Sequence, residues 1–129
     1  MINILICDDE INDANIVKAC IENLLDSKNI AYNIKICLKA TELIEKSKNV
    51  NFLFLDMEIN GISGIDMGLK LRTLKNQCHI IITSNYQKYL LDGYSIKPDR
   101  YILKPYTQDQ FNMICLLYTS DAADDLIGV

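Results

Sequence analysis

Phe52-Leu53-Phe54-Leu55-Asp56 is the stretch on which the fold turns. Four large apolar residues run without interruption into one carboxylate. The Lys48–Asn51 segment precedes them, and the Gly-bearing turn Met57-Glu58-Ile59-Asn60-Gly61 follows. An apolar run of this length between such flanks reads as a strand buried on both faces, the kind found in parallel sheets covered by helices. In open parallel sheets the chemistry sits at the carboxyl ends of the strands. Asp56 is the first polar residue past that end. On its own it could equally cap the next turn or helix.

Working outward, the same pattern recurs. Ile2-Asn3-Ile4-Leu5-Ile6-Cys7 is a second apolar run and ends on Asp8-Asp9-Glu10. Ile16, Val17, Cys20, Ile21, Leu24 and Leu25 then recur at helical spacing, with Asn12 or Asp13 able to cap them. Tyr32–Cys37 alternates more and suits a strand nearer a sheet edge. Ala40, Leu43 and Ile44 make a short helix. Ile62-Ser63-Gly64 opens another, with Ile65, Leu69, Leu71 and Leu74 as its apolar members. Ile80-Ile81-Ile82 is a buried strand ending on Thr83-Ser84. Tyr86, Tyr89, Leu90 and Tyr94 fit a helix, whose tyrosines serve packing or a docking face. Tyr101-Ile102-Leu103 is a last strand, ending on Lys104-Pro105. Thr107-Gln108-Asp109-Gln110 is a capping-box start for a final helix through Phe111 and Ile114.

Five strand–helix units imply an α/β fold, a parallel five-stranded sheet with helices on both faces. Right-handed crossovers leave few topologies, and the doubly wound, flavodoxin-like (βα)5 order 2-1-3-4-5 is expected. The 129 residues suffice for one domain with a core. No apolar run approaches the roughly 20 residues that span a bilayer, and no basic region precedes an apolar segment as in a signal peptide. Cys7, Cys20, Cys37, Cys78 and Cys115 lack metal-binding spacing and suit small buried hydrophobes in a reducing cytoplasm. A net charge of −4 does not point to nucleic-acid binding by this segment.

In such a sheet the strand ends gather Asp8, Asp9, Asp56, Thr83 and Lys104 on one rim. Two carboxylates about 5 Å apart repel by roughly 3 kcal/mol at an effective dielectric near 20. Something cationic has to offset that: Lys104, a divalent ion, or both. Oxygen-only ligands favour a hard cation such as Mg2+. Asp56 could then act as a carboxylate nucleophile toward a phosphoryl group. Lys104 would balance the phosphoryl charge and Thr83 would donate to it. His79, at a strand start on the opposite side, reads as structural.

The acid pair Asp8-Asp9, Leu55-Asp56-Met57, Gly64 eight residues on, Thr83, and Tyr101-Ile102-Leu103-Lys104-Pro105 resemble the receiver domains of two-component response regulators, over residues 2–114. The resemblance implies Asp56 as phosphoacceptor and a sensor histidine kinase as partner. It implies Mg2+ held directly by Asp9, mostly through water by Asp8, and by Asp56 and the backbone carbonyl of Glu58. Thr83, Tyr101 and Lys104 become the phosphoryl-binding and switch residues, and the Lys104–Pro105 bond is expected cis. A homodimer through the fourth helix, fifth strand and fifth helix is implied as readout. Many relatives carry Pro four residues after the phosphoacceptor, where this chain has Asn60. Cys7-Asp8-Asp9-Glu10, Glu58 and the Tyr86–Tyr94 segment resemble receivers that precede LytTR-type DNA-binding domains. Contact with DNA would then come only through a C-terminal output domain. A stand-alone receiver is the alternative.

Two other classes compete. A flavin-binding module needs a phosphate-cradling loop after the first strand, where Asp8-Asp9-Glu10 would repel phosphate. A magnesium-dependent phosphatase with an Asp nucleophile, of the haloacid-dehalogenase type, needs Asp-x-Asp after that strand, whereas here the acids are adjacent. Residues 115–129 read differently from the rest. Cys115 to Asp125 resembles the translation of a transposase-type sequencing adapter, so this tail is expected to be non-native, with the receiver at 1–114 and its last helix cut short. Without Asp121, Asp124 and Asp125 the chain would be close to neutral.

Overall fold

A computed structural model describes residues 1–84, 100–113 and 115, with the backbone alone at Arg100 and Tyr101. In chain order the elements are β1 (Ile2–Cys7), α1 (Ile11–Ser27), β2 (Tyr32–Cys37), a 3-10 turn (Ala40–Glu42) running into α2 (Leu43–Lys46), β3 (Phe52–Asp56), β4 (Glu58–Ile59), β5 (Ile62–Ser63), α3 (Gly64–Thr73), β6 (His79–Ser84) and β7 (Arg100–Leu103). Residues 108–113 are helical. The expected helix over Tyr86–Tyr94 and the chain beyond Cys115 lie outside the described residues.

The main sheet has five parallel strands in the order β2-β1-β3-β6-β7, which is the doubly wound order expected from the alternation of patterns. The Phe52–Leu55 run is apolar throughout because successive side chains enter two different cores. Phe52 and Phe54 join Ile4, Ile6 and Ile81 against Val17, Ile21 and Leu24 of α1 and Phe111 of the final helix. Leu53 and Leu55 join Leu5, Ile80 and Ile82 against Leu43 of α2 and Leu71 of α3. Each such side chain contributes up to about 1.5–3 kcal/mol when fully buried. Among the described residues β2 has one neighbouring strand, and its side chains are only partly buried over most of its length, as its alternating sequence implies.

Helix boundaries and faces depart from the sequence expectation in three places. The N-cap of α1 is Glu10, so Asn12 and Asp13 lie inside the first turn rather than capping it. Along α1, Ala14 is buried and Ile16 is about half exposed, because Ala14, Val17, Ile21 and Leu24 already line the inward stripe. In α3 the inward residues are Gly64, Gly68 and Leu71, while Leu69 is turned outward and Leu74 lies past the last turn. Asn60 and Gly61, at φ 52° and 76°, form the two-residue turn of the β4–β5 hairpin. Both left-handed conformations suit an Asn-Gly pair.

The capping box is formed. Thr107 N–H donates to Gln110 Oε1 at 2.9 Å and Gln110 N–H donates to Thr107 Oγ1 at 3.1 Å. This helix docks through Phe111, whose ring stacks on Phe54 at 5.8 Å. Thr107→Ala is expected to cost about 1 kcal/mol. Urea unfolding checks this: the midpoint should fall while the slope stays constant.

Candidate functional site

Three backbone bonds continue the sheet past its strand ends and fix the chain at the rim. Asp8 N–H donates to the Cys37 carbonyl at 3.0 Å, Met57 N–H to the Thr83 carbonyl at 3.1 Å, and Lys104 N–H to the Ser84 carbonyl at 2.7 Å. Asp56 and Thr83 are register partners across β3 and β6. Twist therefore has little freedom to separate these groups. Thr83 is buried. Tyr101 pairs with Ile82 along the backbone of β7. The Lys104–Pro105 bond is cis. Glu58 follows Asp56 by two residues, with its side chain in solvent.

Carboxylate oxygens of Asp8, Asp9 and Asp56 all lie within 4.8 Å of one another. Asp8 is almost fully buried, and both its oxygens are engaged. Oδ1 accepts from Glu10 N–H at 2.9 Å and Oδ2 from Lys104 Nζ at 3.0 Å. Asp9 Oδ2 accepts from Asn60 N–H at 2.7 Å. The Asn60 side-chain oxygen in turn accepts from Ala40 N–H at 3.3 Å, tying the hairpin turn to the start of the 3-10 turn. Lys104 Nζ also reaches Asp13 Oδ2 at 3.2 Å and lies 3.8 Å from Asp56 Oδ2.

Burial, and then the charge of Asp8, push the Asp56 carboxyl up from 3.8 to about 7, against the opposing pull of Lys104 and the Met57 N–H. Burial works against the Lys104 ammonium, but Asp56, Asp8 and Asp13 outweigh it and hold its pKa above the ordinary lysine value. Among the described residues, three carboxylates (Asp8, Asp13 and Asp56) thus lie within 4 Å of one ammonium, with Asp9 beside Asp8 and Asp56, so the acids outnumber the cation there. The donors are all oxygen, the acids converge within contact range of one ion, and an uncompensated carboxylate resists ionisation. All three features fit a hard divalent cation.

Two contributors escaped the reading from sequence. Asp13 appeared there only as a possible cap, yet it is a partner of Lys104. An acid in the first turn of a helix that starts directly after a rim loop has its Cβ tilted back toward that rim, and this is the signal that marks it. Asn60 N–H on Asp9 follows from the Asn-Gly hairpin, a local signal read only as a turn.

The family model described as the response regulator receiver domain matches residues 4–114. The chain belongs to this family: it is a receiver domain of the two-component response regulators, whose business is phosphorelay signalling. Its relatives point to one branch. The sensory transduction protein LytR of Staphylococcus epidermidis is 26% identical over 104 residues, covering 79% of this chain and 41% of the relative. LytT of Bacillus subtilis is 22% identical over 118 residues, covering 92% and 48%. The chain spans less than half the length of these relatives. Among solved structures, the response regulator TrrA of Thermotoga maritima, in complex with Mg(2+)-BeF, aligns with TM-score 0.68 at 28% identity, covering 88% of this chain and 95% of that one. A CheY-like receiver domain protein from Methanospirillum hungatei aligns with TM-score 0.71 at 22% identity, covering 97% and 95%, and shares the fold.

Proposed function

We propose that Asp56 accepts a phosphoryl group from a phosphohistidine on a sensor histidine kinase, or from a small acyl phosphate. The observation that carries this is the convergence of the Asp8, Asp9 and Asp56 carboxylates within 4.8 Å, beside Lys104. An Asp56 oxygen attacks phosphorus as the bond to the donor breaks, and the donor's imidazole nitrogen or carboxylate oxygen leaves with the electron pair. The residues that would hold Mg2+ are Asp8, Asp9, Asp56 and the Glu58 backbone carbonyl. When bound, the ion supplies positive charge to the oxygens of the incoming group. Lys104 balances the remaining charge, and the Thr83 hydroxyl donates a hydrogen bond to the phosphoryl oxygens.

In the same reading Thr83 moves toward the phosphoryl group and Tyr101 turns in behind it, biasing a pre-existing equilibrium. The readout is a homodimer through the face that the expected Tyr86–Tyr94 helix, which lies outside the described residues, would make with β7 and the final helix. The receiver occupies residues 1–114. In the intact protein, acting in the cytoplasm, a LytTR-type DNA-binding output domain follows it, and residues 115–129 are not native. The lengths and names of the relatives support an output domain beyond the receiver; a genomic read across codon 114 tests the reading of the tail, and an independent library that also encodes the present tail would refute it. Among the described residues no helix is long and apolar enough to cross a membrane.

Incubation with acetyl phosphate and Mg2+ should add one phosphoryl mass to the chain. Asp56→Asn or excess chelator should abolish the adduct. An adduct that forms equally well in either case refutes the assignment.

A further inference from the structure

The Lys104 ammonium has three hydrogens to give. In this structure Asp8 Oδ2, at 3.0 Å, and Asp13 Oδ2, at 3.2 Å, each lie within hydrogen-bond distance of it. Asp56 Oδ2, at 3.8 Å, lies beyond. The ammonium is therefore drawn toward α1 and away from the carboxylate it would have to serve. Its two partners are not equivalent. The Asp8 side chain is 2% exposed and its other oxygen is held by Glu10 N–H, so it cannot turn away. The Asp13 side chain is 36% exposed, on the first turn of α1, and can exchange the ammonium for water. A cleft lined by Asp13, Ile16, Lys104, Pro105 and Tyr106 opens beside the pair and gives it room to do so.

We propose that Asp13 is a positioning residue for Lys104: it holds the ammonium off Asp56 in the resting chain and competes with the phosphoryl group for it. This rests on Asp56 being the phosphoacceptor. When a phosphoryl group arrives on Asp56, the contact with Asp13 is the one released, because the contact with Asp8 is locked. Asp13 thus sets how strongly the resting site resists the phosphorylated arrangement. Nothing covalent happens at Asp13 itself.

Beryllofluoride, a stable stand-in for the phosphoryl group, tests this with Mg2+ held saturating and binding followed by fluorine NMR. Asp13→Asn should bind it roughly two- to fivefold more tightly than the wild-type chain, the range expected for a partly exposed ion pair. Asp13→Glu, whose carboxylate still reaches Lys104, should restore wild-type affinity. In a Lys104→Ala background Asp13→Asn should change nothing, because the group being positioned is gone. A gain that persists without Lys104 would mean that Asp13 acts only through overall charge, and would overturn the proposal. So would equal or weaker binding by a folded Asp13→Asn. Failure of the wild-type chain to bind, or equal binding by Asp56→Asn, would instead overturn the reading of Asp56, and the role of Asp13 with it.

Discussion

Replacing Gly64 by alanine should cost the fold about 1–3 kcal/mol, the range for forcing extra atoms into a packed site. It should also slow phosphoryl transfer to Asp56 on the order of 10–100-fold. The reason is where a Cβ on Gly64 would point. It would lie well inside contact distance of the Asp56 carbonyl oxygen and 2.9 Å from Met57 Cα. Both obstacles are backbone, so no side chain can swing away to make room. Gly64 N–H also donates to the Met57 carbonyl at 2.6 Å, closing the hairpin loop onto the residue after Asp56. A methyl group there must move either the start of α3 or the backbone that aims Asp56. Denaturant midpoints and the rate of adduct formation from acetyl phosphate measure the two effects. A variant with the wild-type midpoint and rate would show that this close approach does not position the site.

The second large effect is a gain in stability. Asp56→Asn should stabilise the chain by on the order of 4 kcal/mol above pH 7 when divalent ions are chelated, at about 1.4 kcal/mol for each pH unit between the unfolded and native pKa values. In the native chain burial and Asp8 raise the Asp56 carboxyl from 3.8 to about 7. Below the lower value the group is protonated in both states and costs nothing. Between the two the unfolded chain ionises while the native one keeps its proton, so native stability falls as pH rises. Above the upper value the native carboxylate ionises as well and the full penalty persists. The neutral amide escapes it. The advantage of the variant should therefore appear near pH 4, grow to about pH 7 and then level off. Saturating Mg2+ should erase it, since an ion that binds the native wild-type chain stabilises that chain by mass action. A difference that is independent of pH, or absent at pH 8 in chelator, would contradict the electrostatic account of the site.

The parts of this protein that are legible in its sequence are those governed by local rules. Phe52–Leu55 announces burial on two faces because every second residue needs its own core, and Thr107 and Gln110 announce a helix start because the two partners sit three residues apart. Asp8, Asp56, Thr83 and Lys104 could be placed on one rim because a parallel sheet brings all carboxyl ends together. The rotation of a helix about its axis is set by its neighbours instead. The apolar spacing in α1 admits Ile16 as an inward residue until Ala14 takes that place against the sheet. In α3 the close seat of Gly64 against the Asp56 backbone turns Gly68 and Leu71 inward and Leu69 out. Asp13 is hidden for another reason: its contact with Lys104 depends on α1 starting directly after the rim loop, a boundary the apolar spacing alone does not set.

The central claim is that one particular carboxylate among four receives the phosphoryl group. Reductive trapping with borohydride after incubation with acetyl phosphate and Mg2+ converts a phosphorylated aspartate to homoserine, and peptide mass spectrometry then locates it. The account requires homoserine at position 56 and unmodified Asp8, Asp9 and Asp13. Homoserine at any of those three, with Asp56 intact, would contradict it.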